Sequence, residues 1–362
     1  MLQVIGAYQE WLETLRSKYT RENYERHLKR FCAFANKTPD ELAGLAPDLV
    51  RQLVVGYVIH MKKTAKEEAG KPVNGSICVN SIPIYMLGVQ SYLDHMDVTL
   101  NWKRIKAMYP EAVSNNLRAY RREEIQKVLT FADIRDCLFV LIPSSSGIRA
   151  GALVQLKVRD LTRLEDGLGM IKVYGKSKHS RYISFVTPEC MTAVDRYLKY
   201  RKEMGERVND ESPLIRDKFD PTLSLHNPVW RPKVNEPRFI KMNAVNRIMV
   251  KLLTRAGLSR EELQPDHGLR RFFNTVCKNV GIDHMYKEKF MGHSVQLDDV
   301  YYDPEDPKSM EKMLSEYWKA VDELTINDEN RAKKKVVELE REKQELDSRL
   351  DRIEAFMARN GG

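Results

Sequence analysis

The spacing of apolar residues predicts that the first 95 positions fold mainly into helices. In about four stretches, apolar side chains recur every three or four residues, which is the spacing of one buried helix face. Thr20 stands where it would cap the second of these helices. Because polar and basic residues fill the remaining positions, we expect a helical bundle. The apolar stripes consist of Ile5, Tyr8, Trp11, Leu12 and Leu15; of Tyr24, His27, Leu28, Phe31 and Phe34; of Leu49, Leu53, Val54, Tyr57, Val58 and Met61; and of Ile82, Tyr85, Met86, Val89 and Leu93.

The apolar spacing changes to alternation in one place, which predicts two β-strands. Ile171 and Val173 lie on the first strand and Ile183 and Phe185 on the second, with residues 175–180 as the turn between them. The fold class predicted is therefore mainly α with a small β-hairpin or sheet, an α+β fold. Further helices are predicted at 122–130, 133–147, 188–201, 242–256 and 309–324.

A break in the apolar pattern separates two predicted domains. Around Pro110 and residues 114–116 the periodicity stops, and three arginines follow within a few positions. A basic linker suits contact with a phosphate backbone, although a solvated hinge has the same composition. The predicted parts are a helical domain 1–110, a linker 111–118, a mostly helical domain 119–325 and a charged tail 326–362. The tail has a heptad-like spacing, which indicates a short coiled coil or a single packed or solvated helix, at Val336, Leu339, Leu346, Leu350, Ile353 and Met357.

The charge of the chain narrows the range of partners. The formal net charge is +9 over 362 residues, which favours a polyanionic partner, and 42% of the residues are hydrophobic, as in globular proteins. The chain has no apolar run of membrane-spanning length and no signal peptide. We therefore expect nucleic acid rather than a membrane surface as the partner, and a cytoplasmic location.

The sequence predicts neither a cofactor nor a metal. The five cysteines are scattered and form no C-x-x-C pair, which argues against a disulfide framework and a zinc site. No glycine-rich motif of a nucleotide-binding loop is present. The carboxylates are not clustered as a two-metal nuclease requires.

The side chains best suited to form a catalytic site lie within positions 267–302. His267 and Arg270 are three apart, so that a helix places them on one face. Gly281 fits the end of that helix, and a second short helix, 283–291, ends at Gly292, directly before a further histidine. Each residue alone has an ordinary explanation in packing, solvation or structural hydrogen bonding. Their joint spacing favours a site.

Six positions together carry a resemblance to a known family. The boxes HGLRRFFNT and FMGHS, the turn GKSKHSR and a nine-residue step from the second histidine to a tyrosine resemble the tyrosine recombinase (phage integrase) family in order and spacing. Leu153, Leu156 and Asp160 follow Arg149 at the spacings that the family shows after its first arginine. Ala152 stands where the family often has an acidic residue. The resemblance covers residues 119–302. The matching positions are Arg149, Lys176, His267, Arg270, His293 and Tyr302.

The resemblance implies a chemistry that these residue types suit. It makes Tyr302 rather than Tyr301 the nucleophile, and Lys176 rather than Lys178 the lysine of the turn. Two arginines neutralise the phosphate oxygens, a histidine takes the tyrosine proton, and the lysine protonates the leaving 5′-hydroxyl. The product is a 3′-phosphotyrosine, which retains the energy of the phosphodiester bond.

We therefore expect a site-specific DNA recombinase, the integrase of a mobile element. The resemblance implies a homo-tetramer on two double-stranded DNA sites, each with a specific core sequence, and strand exchange through a four-way junction. Domain 1–110 is expected to be a core-binding DNA clamp. Helix 309–324 is expected to pack in trans on a neighbouring subunit, with packing in cis within its own chain as the alternative. Two alternatives remain at this point: a type IB topoisomerase-like enzyme, and a non-catalytic DNA-binding regulator.

Overall fold

The fold divides into two compact units, Met1–Asn116 and Leu117–Gly362. None of the helices in the described ranges is both long and apolar enough to cross a membrane. The predicted class, mainly α with a small sheet, is confirmed. The computed structural model describes residues 6–65, 67–68, 71–72, 77–112, 117–175, 181–218, 234, 236–293, 306–329, 331 and 343.

The first unit is a helical bundle with one short strand pair. Its four longer helices form where the apolar stripes predict them, whereas two five-residue helices were not predicted. A 3-10 turn, Val79–Ser81, precedes the last long helix. The elements are α1 (Ala7–Thr14), α2 (Lys18–Ala35), α3 (Pro39–Ala43), α4 (Pro47–Thr64), β1 (Glu67–Glu68), β2 (Lys71–Pro72), α5 (Ile82–His95) and α6 (Trp102–Lys106).

The core of the first unit forms mainly between α2 and α5. Gly88 permits their close approach, because a Cβ atom there would lie 2.7 Å from the carbonyl oxygen of Tyr24. Two predicted core residues, Phe34 and Leu49, are instead 38% and 50% exposed, since they lie in the end turns of α2 and α4.

The start of α2 corrects one prediction. Ser17 precedes the helix, and its side-chain oxygen accepts a hydrogen bond from the backbone nitrogen of Thr20 at 3.4 Å. Thr20 therefore lies inside the first turn and is not the cap. A free N–H of the first turn needs an acceptor that lies before it in the chain.

The second unit consists of helices arranged around a three-stranded sheet. The predicted helices at 122–130, 188–201 and 242–256 are present with ends shifted by a few residues, and a 3-10 turn spans Val158–Asp160. The elements are α7 (Arg122–Leu129), α8 (Leu138–Ser146), α9 (Ala150–Leu153), β3 (Leu161–Arg163), β4 (Gly169–Val173), β5 (Tyr182–Val186), α10 (Pro188–Glu203), α11 (Met242–Arg255), α12 (His267–Asn279), α13 (His284–Phe290), α14 (Pro307–Trp318) and α15 (Val321–Leu324).

The sheet is antiparallel in the order β3-β4-β5. Val173 pairs with Tyr182, so the two predicted strands form the expected hairpin, and the four alternating apolar residues are all buried. The third strand of the sheet, β3, was not predicted. It has only three residues, which are too few to show an alternating pattern.

Helix α8 lies at the centre of the second unit. All nine of its residues are buried, and it packs against α12, α10 and β5. The hydroxyl of Ser145 donates to the carbonyl oxygen of Leu141 at 2.7 Å, which satisfies a polar group that would otherwise be costly to bury. Gly147 ends the helix in the left-handed conformation, with φ +66°.

The C-terminal helix α14 buries its apolar face in the core of the second unit. Tyr317 is fully buried, and its hydroxyl donates to the carbonyl oxygen of Ser145 at 2.8 Å. Its ring lies in a cluster with Phe185 and Phe290, at centroid distances of 5.3 and 5.9 Å. The predicted single helix is also divided in two, because a turn at 319–320 redirects the chain so that α15 enters the same core.

Candidate active site

The helix α12 carries two of the six predicted site residues in its first turn. Asp266 caps it and accepts a hydrogen bond from the backbone nitrogen of His267 at 2.8 Å. Gly268 packs so closely on Tyr120 that a Cβ atom would lie 2.5 Å from the Tyr120 ring. The first turn, with His267 and Arg270, is thereby fixed against the beginning of the second unit.

Arg270 is a buried cation held by neutral acceptors. Its side chain donates to the carbonyl oxygens of Gly147 and Met291, the latter at 2.7 Å, and to Nε2 of His293 at 2.7 Å. Only 3% of the residue is exposed. Burial lowers the pKa of Arg270 to about 10, and the charge of Arg149 acts in the same direction. The guanidinium remains protonated at neutral pH, and its hydrogen bonds leave its charge available to an anion.

Arg149 reaches the same place from the end of α8. It follows Gly147, which has a positive φ and no room for a side chain, because a Cβ atom would lie 2.3 Å from the Phe273 ring. The Arg149 side chain is exposed and donates to the carbonyl oxygen of Gly292 at 3.2 Å. Ala152, the departure from the family pattern, is buried. The two arginines are thus held by the same two glycine-containing turns.

His293 is placed by the way α13 ends. Gly292 adopts φ +63°, and the backbone nitrogens of His293 and Gly292 donate to the carbonyl oxygens of Glu288 and Lys289, both at 2.9 Å. This pair of bonds is the Schellman arrangement, which reverses the chain sharply after a helix. It turns the imidazole back toward α12, where it meets Arg270. The predicted helix 283–291 and its glycine stop are confirmed.

His267 lies beside the two arginines and is partly exposed to solvent. Partial burial lowers its pKa from the ordinary value of 6.5, and the charges of Arg271, Arg270 and Arg149 also lower it. The imidazole is therefore neutral at pH 7 and able to accept a proton.

The sequence did not indicate two residues of this region. Glu288 contacts Nδ1 of His293 through its carboxylate. Tyr182 packs on Gly292, where a Cβ atom would lie 2.4 Å from its ring. Its buried hydroxyl has no hydrogen-bond partner of acceptable geometry among the described residues. Burial raises the pKa of Tyr182, and the charges of Arg270 and Arg149 oppose that rise. The sequence feature that could have identified Glu288 is its position on a helix, five residues before the histidine that follows the terminal glycine.

Four of the six predicted site residues are therefore placed in one region, namely Arg149, His267, Arg270 and His293. Lys176 and Tyr302 lie outside the described residues, as do their alternatives Lys178 and Tyr301 and most of the tail 326–362. The described residues contain no group of acidic, histidine or cysteine side chains that could hold a metal ion.

Comparison with known proteins identifies a matching family. The family model described as "Phage integrase family" matches residues 118–305. A comparison with the curated proteins finds no significant match. Among solved structures, the XerH site-specific recombinase bound to palindromic difH substrate, a post-cleavage complex, is similar with 16% identity and a TM-score of 0.56, covering 86% of this chain and 84% of that one.

A second solved structure shows the same likeness. The lambda integrase (residues 75–356) bound to DNA has 15% identity and a TM-score of 0.51, and covers 81% of this chain and 93% of that one. At these identities the likeness establishes the fold alone.

Proposed function

The chain belongs to the phage integrase family and is a tyrosine recombinase, and we propose that it is the integrase of a mobile element, which cuts and rejoins double-stranded DNA at a specific core site. Its substrate is then a DNA phosphodiester. The reaction proceeds through a covalent link between the protein and one DNA strand, and it takes place in the cytoplasm at the nucleoid.

The observation that carries this proposal is the burial of Arg270 beside Arg149. Burying a cation is costly unless something compensates it, and the hydrogen bonds of Arg270 go to neutral acceptors. A second guanidinium nearby adds repulsion, which an anion between the two relieves. Guanidinium groups bind phosphate oxygens with forked donors, and this binding strengthens as negative charge builds up in the transition state.

The proposed reaction assigns one task to each of the six residues. Arg149, Arg270 and His293 surround the phosphate. The hydroxyl of Tyr302 attacks phosphorus and loses its proton to His267, which the lowered pKa keeps neutral. The P–O bond to the 5′-oxygen breaks, and Lys176 gives that oxygen a proton.

The products are a 3′-phosphotyrosine and a free 5′-hydroxyl. Because a phosphodiester is exchanged for another phosphodiester, the step conserves bond energy, and the scheme needs neither a nucleotide nor a metal ion. The free 5′-hydroxyl of a partner strand then attacks the phosphotyrosine. Repeated on two DNA sites by a homo-tetramer, this exchange passes through a four-way junction.

A library of randomised DNA tests the proposal and identifies the DNA site at the same time. The protein is incubated with the library, covalent complexes are recovered, and the enriched site is placed twice on one plasmid. We expect exchange between the two sites. Relaxation of supercoils without exchange would instead indicate a topoisomerase, and failure to recover any covalent complex would indicate a DNA-binding regulator.

A further inference from the structure

Glu288 holds His293 at two points. Its backbone oxygen accepts from the backbone nitrogen of His293 at 2.9 Å, as part of the turn that ends α13. Its carboxylate contacts Nδ1 of the same residue. The backbone hydrogen bond fixes the position of the His293 main chain, and the side-chain contact fixes the rotation of its ring.

The other ring nitrogen determines the tautomer. Nε2 of His293 lies 2.7 Å from a terminal nitrogen of Arg270. A guanidinium has donors only, so Nε2 must accept and carries no proton. The single proton of the neutral ring is therefore on Nδ1, where the Glu288 carboxylate accepts it. Carboxylate, imidazole and guanidinium form a chain in which each hydrogen bond has one direction.

The surroundings keep the Glu288 carboxylate ionised. Burial raises its pKa, but hydrogen bonds from Lys287 and His293 outweigh this effect and hold the pKa at about 2. The Lys287 ammonium lies 2.7 Å from one carboxylate oxygen, with 5% of the lysine side chain exposed. Nε2 of His284 lies 3.8 Å from the same carboxylate oxygen. An ionised carboxylate has acceptors only, which matches the Nδ1 proton.

We propose that Glu288 is a positioning residue that fixes the tautomer and rotation of His293 and, through Nε2, the position of the Arg270 guanidinium. The consequence for cleavage rests on the recombinase function proposed above, whereas the tautomer does not. Without the carboxylate, the ring is free to protonate at Nε2, and this proton then faces the donors of Arg270. Two donors repel each other, so the arginine is displaced from its place beside the phosphate.

The tautomer is measured directly in the free full-length protein by NMR of ¹⁵N-labelled histidine. The signals of His293 are assigned by their loss in His293→Gln. We expect the Nδ1–H form in the wild type and loss of this preference in Glu288→Leu. The matched control is Lys287→Met on the same helix, which leaves the carboxylate in place and is expected to keep the Nδ1–H form. An Nδ1–H form that persists in Glu288→Leu would overturn the proposal.

A conservative variant keeps the test decisive if Glu288→Leu does not fold. The amide oxygen of Glu288→Gln still accepts from Nδ1–H, so we expect the wild-type tautomer, and the appearance of an Nε2–H form contradicts the proposal. On DNA recovered from the library, Glu288→Leu should lower the single-turnover cleavage rate about tenfold to a hundredfold with unchanged DNA affinity. This is the range found when a hydrogen-bond partner that orients a metal-bound histidine is removed. Glu288→Gln should retain most of the rate. Equal losses in both variants would show that tautomer control is not its role.

The two levels of the proposal fail differently. If the wild type forms no covalent complex but shows the Nδ1–H form that Glu288→Leu loses, the recombinase proposal fails and the role of Glu288 in holding His293 stands. If cleavage proceeds at the wild-type rate in a Glu288→Leu protein that has lost the Nδ1–H form, the recombinase proposal stands and the positioning role is refuted.

Discussion

The Arg270 guanidinium donates a hydrogen bond to the carbonyl oxygen of Gly147, two residues before Arg149. This one contact joins the start of α12 to the end of α8, which lie 123 positions apart along the chain. It fixes the distance between the two arginines that surround the proposed phosphate. The conformation of Gly147 therefore controls the geometry of the site as well as the end of a buried helix.

Replacing Gly147 should damage the fold of the second unit. Gly147→Ala puts a Cβ atom 2.3 Å from the Phe273 ring and forces a left-handed residue to carry a side chain. We expect the free energy of unfolding to fall by at least about 2 kcal/mol, from left-handed strain and overpacking. Chemical denaturation measures it. The control is Gly151→Ala in α9, where a Cβ atom meets nothing within 4 Å and should leave stability unchanged or raise it by about 0.5 kcal/mol. Equal effects of the two substitutions would contradict the account.

Removal of the buried arginine should affect chemistry more than DNA binding. Arg270→Ala should lower the rate of covalent complex formation about 10²- to 10³-fold, the usual effect of losing one donor to a developing oxyanion. DNA affinity should change little, because the chain carries 60 lysine and arginine residues, and binding to a phosphate backbone is shared among many such charges. Single-turnover cleavage at saturating DNA measures the rate. Arg163→Ala, which removes a half-exposed arginine paired with Asp195, should cleave normally. A comparable loss in that control would mean that Arg270 has no special role.

The pH profile of cleavage should carry the signature of His267. Its pKa lies below the ordinary 6.5, so the neutral form that accepts a proton dominates at pH 7. As pH falls through this lowered pKa, the imidazole becomes protonated and cleavage should decline, with the loss beginning below pH 6.5. In His267→Gln the rate should be lower throughout, and this part of the profile should disappear. Rates measured from pH 5 to 8 test this, and an unchanged profile in the variant would assign the decline to another group.

Lys176 should matter only while the leaving group needs a proton. Lys176→Ala should impair cleavage of ordinary DNA strongly. On DNA with a 5′-thio leaving group, which departs without protonation, the variant should approach the wild-type rate. The two substrates are compared in the same single-turnover assay. If the variant loses as much activity on the thio substrate, Lys176 does not act as the acid.

Sequence patterns identified the local elements of the site well. Gly281 and Gly292 mark the ends of α12 and α13, because a helix terminus that needs a positive φ selects glycine. His267 and Arg270, which are three positions apart, both lie in the first turn of α12, as their spacing predicted. Such features depend on residues a few positions apart and are visible in one sequence.

Features that depend on distant residues were not predictable. Two acceptors of Arg270 are the backbone carbonyl oxygens of Gly147 and Met291. Because every residue type has such an oxygen, the sequence does not identify these partners. The apolar residues in 309–324 indicate a helix face that needs burial, but their pattern does not identify the surface that covers it. In the structure the core of the second unit covers this face, and the Tyr317 hydroxyl donates to the carbonyl oxygen of Ser145. Strand β3 has too few residues to show a period.

The central claim is that Tyr302 attacks the phosphodiester, and the most direct measurement is peptide mapping of the covalent complex. The complex is digested with protease and nuclease, and the peptide that retains a nucleotide is identified by mass spectrometry. We predict that the nucleotide is on Tyr302, that Tyr302→Phe forms no complex while binding DNA normally, and that Tyr301→Phe forms the complex as before. A nucleotide on Tyr301, or a complex that survives in Tyr302→Phe, would contradict the account.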